Sequence, residues 1–183
     1  VYSGKANFTG GDCMADDKEA ILDDDTLYDD DEDAQKDKYL TFHLAGEDYG
    51  IEISFVTEII GIQKITEVPD MPEFIRGVIN LRGRVIPVMD VRTKFKLAAR
   101  DYDERTCIIV VDINESSIGL VVDEVSEVVD IPAASVEPAP QTGNGKTSRY
   151  LKGMGKIEDE VKILLNVEKL LHEDELEQIS SAT

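Results

Sequence analysis

Cysteine, tryptophan and long apolar runs are scarce or absent in this chain, and each of these features excludes some classes of protein. Two cysteines, Cys13 and Cys107, and no tryptophan occur among 183 residues, which excludes the disulfide framework of a small secreted domain. No stretch approaches the roughly 18 consecutive apolar residues of a membrane-spanning helix, and the first residues do not resemble a signal peptide. We therefore predict a soluble, cytoplasmic protein.

Basic residues are also scarce relative to acidic ones. Nineteen lysines and arginines stand against 39 aspartates and glutamates, which gives a formal net charge of −20. Nucleic-acid binding needs clustered basic side chains, and an acidic surface is repelled by the anionic inner leaflet of a membrane. The composition predicts other proteins as partners, with no nucleic acid and no direct membrane binding.

Half of the net negative charge lies in the first part of the chain. Residues 1–37 contain thirteen acidic and three basic residues, including the runs Asp23–Asp25 and Asp29–Asp33. With few large apolar side chains, such a segment cannot offset the entropy cost of ordering, so residues 1–38 are predicted to be a disordered acidic tail. It lacks the central glycine and distant glutamate of a calcium-binding loop, so we favour a solvated tail over a cation site.

Residues that could support catalysis are few and isolated. His43 and His172 have no second histidine or cysteine at metal-ligand spacing, and Cys107 lies in an apolar run that is typical of a buried, inert thiol. There is no phosphate-binding glycine loop, nucleophile elbow or dinucleotide fingerprint. We predict no catalytic residues, no metal, no cofactor and no enzyme activity.

The most informative feature is an internal repeat. The segment Tyr49–Ile60 matches Ile118–Val129, and Phe74–Val91 matches Tyr150–Val167. The second copy is longer between its two matched segments, and the extra residues are placed in the Pro/Gly-rich loop Pro138–Ser148. The repeat predicts unit one at about 39–100 and unit two at about 105–171.

Each unit has the pattern of several short β-strands. Tyr39–Leu44 and Thr106–Ile113 are β-like at the same register, and Gly77–Leu81 with Arg84–Met89 indicates a hairpin whose turn contains Gly83. About five strands per unit favour a small barrel, and a unit of about 65 residues is marginal alone, so two packed barrels are expected.

Three further local features follow from single residues. Ser54 and Asp123 are predicted to cap single helical turns that carry Val56 and Ile59, or Val125 and Val128. Pro87 cannot donate to a ladder, so its strand should be an edge or carry a bulge. Residues 167–180 have the amphipathic pattern of a helix. We predict that this C-terminal helix covers one side of a barrel.

Comparison of the two units separates scaffold from function. Acidic Glu58 and Glu127 recur, as do basic Arg76 and Lys152, and we hypothesise that each acid pairs with the base of its own unit. The hairpin tips differ: Asn80–Arg84 is basic, whereas Lys156–Glu160 is mostly acidic. A difference between matched units is a better functional candidate, and arginine is enriched at interface hot spots.

The run Phe74–Arg92 closely resembles the signature segment of CheW-like coupling proteins. Tyr49–Ile51 with Val56–Ile59 resembles the preceding family segment, and Gly119–Asp123 with Leu164–Leu171 resembles later ones. The resemblance extends from Tyr39 to Leu171 in family order, so residues 39–171 are expected to form a CheW-like domain.

The resemblance implies a mainly β fold of two intertwined, five-stranded SH3-like barrels. It also implies an adaptor that links methyl-accepting chemoreceptors to the regulatory domain of the histidine kinase CheA, and that can join ring-shaped arrays. Val56, Glu58 and Arg82 match the family's receptor-contacting positions, with Asn80 and Leu81 as possible supporting residues. No kinase-contacting residue is assigned, although the family uses the exposed ends of its barrels.

Three alternatives stay open at this point. The chain could be the coupling domain of a larger protein, such as a CheV-type adaptor or CheA itself. It could be a barrel that binds single-stranded nucleic acid, which needs a basic groove with stacking aromatics. It could be an enzyme with paired carboxylates, for which no motif is present.

Overall fold

Eleven strands and two short α-helices make up the described part of the chain. The computed structural model describes residues 34–140 and 146–170. The strands, in chain order, are β1 Lys38–Leu44, β2 Glu47–Glu52, β3 Val56–Gly61, β4 Ile75–Leu81, β5 Arg84–Asp90, β6 Cys107–Ile113, β7 Ser116–Val122, β8 Glu124–Asp130, β9 Val136–Glu137, β10 Leu151–Ile157 and β11 Glu160–Leu165. The helices are α1 Val91–Lys94 and α2 Val167–Leu170, with 3-10 turns at Ile53–Phe55, Ala133–Ser135 and Lys146–Tyr150.

The strands form two sheets, and strands that match in the repeat occupy the same positions in both sheets. We call the sheet β3-β6-β7-β5-β4 the first barrel and the sheet β8-β1-β2-β11-β10-β9 the second barrel. The hairpin β1–β2 of unit one lies in the second barrel, and the matching hairpin β6–β7 of unit two lies in the first. This exchange confirms the predicted pair of intertwined barrels; the second barrel also includes the two-residue strand β9.

A close backbone contact beside β4 explains a glycine that recurs in both units. Thr66 and Val78 exchange two backbone hydrogen bonds of 2.8 and 2.9 Å. A Cβ on Gly77, whose φ is +140°, would lie 2.1 Å from the Thr66 oxygen. In the second barrel a Cβ on Gly153 would lie 2.6 Å from the Glu137 oxygen. Both glycines therefore let a neighbouring segment approach the sheet.

One hydrophobic core runs through both barrels. Leu40, Phe42 and Leu44 alternate along β1 and are buried, as the β pattern predicts. They share a cluster with Ile109 of β6 and Leu120 of β7, which belong to the first barrel. Because burial of apolar surface is the main favourable term in folding, this shared core couples the two barrels into one folding unit.

An aromatic row crosses this core. The ring centroids of Phe42 and Tyr49 are 6.0 Å apart, those of Tyr49 and Phe95 are 5.9 Å apart, and those of Phe95 and Tyr150 are 6.0 Å apart. Such spacings suit offset aromatic contacts. The row links the β1–β2 hairpin with the residue after α1 and the residue before β10.

The predicted helical turns after Ser54 and Asp123 are wrong. Val56–Gly61 and Glu124–Asp130 are strands. Each pairs with a neighbouring strand, β6 or β1, and β-branched residues such as those in both segments favour extended backbone in a sheet. Ser54 lies inside the 3-10 turn Ile53–Phe55, whose N-cap residue is Glu52 and has no side-chain capping hydrogen bond. Asp123 instead binds Arg92.

Pro87 lies in an interior strand, so the expectation of an edge strand is wrong. β5 lies between β7 and β4, and its parallel pairing with β7 begins at Val88, one residue after the proline. On the β4 side, Val78 lies opposite Pro87, but its backbone N–H and carbonyl groups form hydrogen bonds with Thr66. A donor is therefore not required at Pro87. The β4–β5 register does shift nearby, between Ile75 and Gly77.

The ends of the chain lie partly outside the described residues. The predicted acidic tail falls there over residues 1–33, and so does the predicted C-terminal helix beyond Leu170. The start of that helix is present as α2, where the Asn166 side-chain oxygen accepts a 3.0 Å hydrogen bond from the Lys169 N–H. Among the helices in the described ranges, none combines the length and apolarity that crossing a bilayer demands.

Candidate protein-interaction site

The hairpin between β4 and β5 ends in a tight two-residue turn. Arg82 and Gly83 both have positive φ angles, +53° and +81°, which is the geometry whose twist suits a two-residue hairpin. The Asn80 side-chain oxygen accepts a 2.9 Å hydrogen bond from the Gly83 N–H. Asn80 therefore holds the backbone of the tip that presents Arg82.

Arg82 forms an ion pair with Glu58 on β3. Its Nη2 lies 2.7 Å from Glu58 Oε1, and the two side chains are 77% and 26% exposed. β3 and β4 are the two edges of the first sheet, so the contact joins an edge strand to the tip that follows the other edge. A guanidinium has five N–H donors, so Arg82 keeps donors that face solvent.

The neighbouring predicted residues have apolar roles. Val56 begins β3, is half-buried and packs against the main core. The β3–β6 register shifts between Val56 and Glu58, so Thr57 is an extra residue at a bulge, a feature that re-aims side chains near functional sites. Leu81 is half-buried and packs against the core of the first barrel, so it attaches the hairpin tip to that core.

Contacts of Arg84 extend this surface, and sequence reasoning missed them. Arg84 Nη2 donates to Ser117 Oγ at 3.0 Å, and Ser117 Oγ donates to Asp112 Oδ1 at 2.5 Å. The row crosses from β5 through β7 to β6. No local pattern could have shown it, because Ser117 and Asp112 belong to a hairpin of the other repeat unit.

The second barrel lacks the equivalent ion pair. Glu158, with a φ of +52°, occupies the tip position that matches Arg82, and the exposed Glu127 matches Glu58. Two acidic side chains cannot form an attractive pair. The Glu58–Arg82 contact is thus specific to the first barrel, which supports the choice of this tip as the functional candidate.

The hypothesis that each repeated acid pairs with the repeated base is wrong. Glu58 pairs with Arg82, and Lys152 pairs with Glu52. Arg76 instead lies 5.9 Å from the centre of the Tyr102 ring, a cation–π geometry. The shared basic position is therefore used differently in the two units.

The remaining candidates for chemistry are dispersed. In the part of the chain that the structure describes, no group of three or more histidine, cysteine, aspartate or glutamate side chains could hold a metal ion. His43 lies beside Asp48 at the surface. Cys107 is half-buried rather than buried, and its thiol donates to the Arg105 carbonyl oxygen at 3.2 Å.

Comparison with known proteins agrees with this architecture. Residues 38–175 match the family model described as CheW-like domain. The chain is 40% identical over 139 residues to the chemotaxis protein CheW of Klebsiella aerogenes, covering 76% of this chain and 84% of that protein. It is 30% identical to the chemotaxis protein CheW of Bacillus subtilis, covering 75% and 88%.

A solved structure has the same fold. The scaffolding protein TtCheW from Thermoanaerobacter tengcongensis superposes with a TM-score of 0.70 at 37% sequence identity, covering 76% of this chain and 94% of that chain. The solved structure agrees with the fold of this chain, and the family model and the relatives identify its family. The chain belongs to the CheW-like family of chemotaxis adaptor proteins.

Proposed function

We propose that this chain couples methyl-accepting chemoreceptors to the histidine kinase CheA in the cytoplasm, and that its receptor contact is formed by Val56, Glu58 and Arg82. Asn80 and Leu81 support that contact by holding the tip. The observation that carries the proposal is the exposed Arg82 side chain, which Glu58 orients at 2.7 Å in one barrel only.

Each residue of the contact has a distinct part in recognition. Arg82 supplies charged donors for a carboxylate or carbonyl of the receptor, and charge-assisted hydrogen bonds of this kind are strong and directional. Glu58 fixes the guanidinium before binding, which reduces the entropy lost when the complex forms. Val56 adds apolar area beside the ion pair.

The adaptor acts by geometry and not by a covalent step. A receptor held on the first barrel and the CheA regulatory domain held on another surface are kept in one assembly, so a change of receptor shape changes how the kinase is held. Contacts of about 800 Å² per partner would suit a specific complex. Head-to-tail contacts between similar barrels can close rings, and this would allow the adaptor to join arrays with CheA.

Arg82→Ala and Glu158→Ala form a matched pair for the test, because the two positions are equivalent tips of the two barrels. Each variant is titrated with a purified receptor cytoplasmic fragment and with the CheA regulatory domain. A hot-spot loss of about 2 kcal/mol at Arg82 corresponds to roughly 30-fold weaker receptor binding. Kinase binding and the thermal unfolding midpoint are expected to stay unchanged.

Two results would reject the assignment. One is an equal loss of receptor affinity in Glu158→Ala, which would show that the effect is not specific to the first barrel. The other is loss of the folded structure in Arg82→Ala, which would make the residue part of the scaffold.

A further inference from the structure

The chain passes between the two barrels at two crossovers that are not equivalent. One is the 3-10 turn Ile53–Phe55 between β2 and β3. The other is the single residue Asp123 between β7 and β8. In the repeat, Ser54 stands at the position that matches Asp123, so the two crossovers carry different side chains.

Asp123 binds elements of both barrels with one carboxylate. Arg92 Nε donates to Oδ1 at 2.7 Å, and Arg92 Nη2 donates to Oδ2 at 2.6 Å. The Ala45 N–H donates to Oδ2 at 3.1 Å. Arg92 lies in α1, directly after β5 of the first barrel, whereas Ala45 lies in the β1–β2 turn of the second. Bidentate pairs of this kind fix orientation as well as distance.

The Arg92–Asp123 ion pair is largely shielded from solvent and is supported by further contacts. The side chains of Arg92 and Asp123 are each 12% exposed, so solvent weakens their interaction less than that of a surface pair. Arg92 Nη1 also donates to the Ala98 carbonyl oxygen at 2.6 Å, and Arg100 Nη1 lies 3.6 Å from Asp123 Oδ2. The linker between the repeat units is therefore attached to the same carboxylate.

A cavity lies beside the other crossover. The cavity has a volume of about 200 Å³ and is lined in part by Glu52, Phe55 and Glu168. Glu168 is exposed and matches Arg92 in the repeat. The nearby pair of Glu52 and Lys152 connects β2 with β10, which both belong to the second barrel. Within residues 34–140 and 146–170, this crossover has no ion pair that joins the barrels.

We propose that Asp123 is a positioning residue that, with Arg92, clamps the barrels together at the β7–β8 crossover and sets the angle between them. The shared hydrophobic core holds the barrels in contact, and this ion pair adds a fixed orientation, which non-directional apolar packing does not supply. This deepens the proposed function, because a receptor held on the first barrel keeps a defined orientation to a partner held on the second.

The angle between the barrels can be measured on the isolated full chain. Val85 of β5 and Val161 of β11 are 51% and 53% exposed and stand at matched positions of the two barrels. Spin labels on Val85→Cys and Val161→Cys, in a chain with Cys13→Ala and Cys107→Ala, give an interbarrel distance distribution by pulsed dipolar spectroscopy. Asp123→Asn is then added to the labelled chain.

We expect Asp123→Asn to broaden the distribution, or to shift its mean by more than its original width, in a chain whose circular dichroism is native. Asp130→Asn is the matched control, since it removes an ion pair with Lys38 that connects two strands of the second barrel. This control is expected to leave the distribution unchanged.

A distribution in Asp123→Asn that superposes on that of the parent chain overturns the proposal, as does an equal change in Asp130→Asn. If Asp123→Asn does not fold, Arg92→Lys decides the question, because lysine keeps the charge but cannot donate the parallel pair of hydrogen bonds. An unchanged distribution in Arg92→Lys then overturns it. No partner is present, so this outcome is independent of the receptor-binding test.

Discussion

The Tyr102 hydroxyl donates a 2.8 Å hydrogen bond to Asp90 Oδ2, and this contact ties the linker between the repeat units to the end of β5. The other oxygen of Asp90 accepts from the Thr93 N–H at 3.3 Å and caps α1. A single buried carboxylate thus ends a strand, begins a helix and anchors the linker.

Tyr102→Phe tests this anchor. Burial raises the pKa of Tyr102 to about 12, with a further contribution from the hydrogen bond to Asp90. Because the folded pKa is raised, the stabilisation is present below the usual tyrosine pKa of 10.0 and is lost as pH rises towards about 12. We expect Tyr102→Phe to reduce the free energy of unfolding at neutral pH by about 1 kcal/mol.

The measurement is chemical denaturation at neutral pH together with an ultraviolet difference titration of the parent chain against the variant. The difference should show one phenol that ionises well above pH 10.0. A difference curve centred at or below that value would contradict the buried hydrogen bond.

Charge variants of the Glu58–Arg82 ion pair test its contribution to stability separately from its contribution to receptor binding. Exposed ion pairs contribute about 0.2–1 kcal/mol, so Glu58→Arg, Arg82→Glu and the charge-swapped double variant should differ little in thermal unfolding. We expect the double variant to recover the small coupling in stability but not receptor affinity, because the charge that faces the receptor stays reversed. Recovery of receptor binding by the swap would show that the pair is only structural.

Asp48 and Lys162 connect the β1–β2 hairpin to β11. Lys162 is buried, and its Nζ lies 2.5 Å from Asp48 and 2.7 Å from Glu160. The hydrogen bond from Lys162 lowers the pKa of Asp48 below its usual value of 3.8. The resulting stabilisation is therefore present above pH 3.8 and is lost as pH falls through the lower pKa of the folded state.

Asp48→Asn should therefore be less stable than the parent chain near neutral pH, and the difference should shrink as the solution is made more acidic. Urea denaturation at several pH values measures it. Asp130→Asn, at an exposed pair with Lys38, is the control and should lose little stability, because exposed ion pairs contribute little. A difference for Asp48→Asn that is constant with pH would contradict the assignment.

Gly77 and Gly61 make a matched pair for backbone packing. A Cβ on Gly77 would meet the Thr66 oxygen at 2.1 Å, whereas a Cβ on Gly61 would meet nothing within 4 Å. We expect Gly77→Ala to lose about 3 kcal/mol of stability through overpacking and backbone strain. Gly61→Ala should be close to neutral in denaturant unfolding. Equal effects would show that the Thr66 segment does not close against β4 in solution.

The repeat made much of the architecture predictable. Residues 49–60 and 118–129 share a pattern, and the structure places both in the same order within two matched sheets. The exchange of the β1–β2 and β6–β7 hairpins could not be derived from that pattern, because each hairpin has an apolar face that fits either barrel. Only the resemblance to the family implied it.

The site was predictable in part for a similar reason. Arg82 stood out because its repeat counterpart is Glu158, and its turn geometry follows from Gly83. The pairing of Arg82 with Glu58 was not predicted, because it depends on how two edge strands of one sheet approach each other. The role of Asp123 was predicted wrongly, since a residue typical of a helix cap was used to bind Arg92 across the barrels.

Sedimentation of CheA with receptor-containing membranes tests the central claim most directly. We expect CheA to sediment with the membranes when this chain is added, and to sediment much less when Arg82→Ala replaces it, whereas Glu158→Ala behaves like the parent chain. Sedimentation of CheA that is equal with and without the chain would contradict a coupling role.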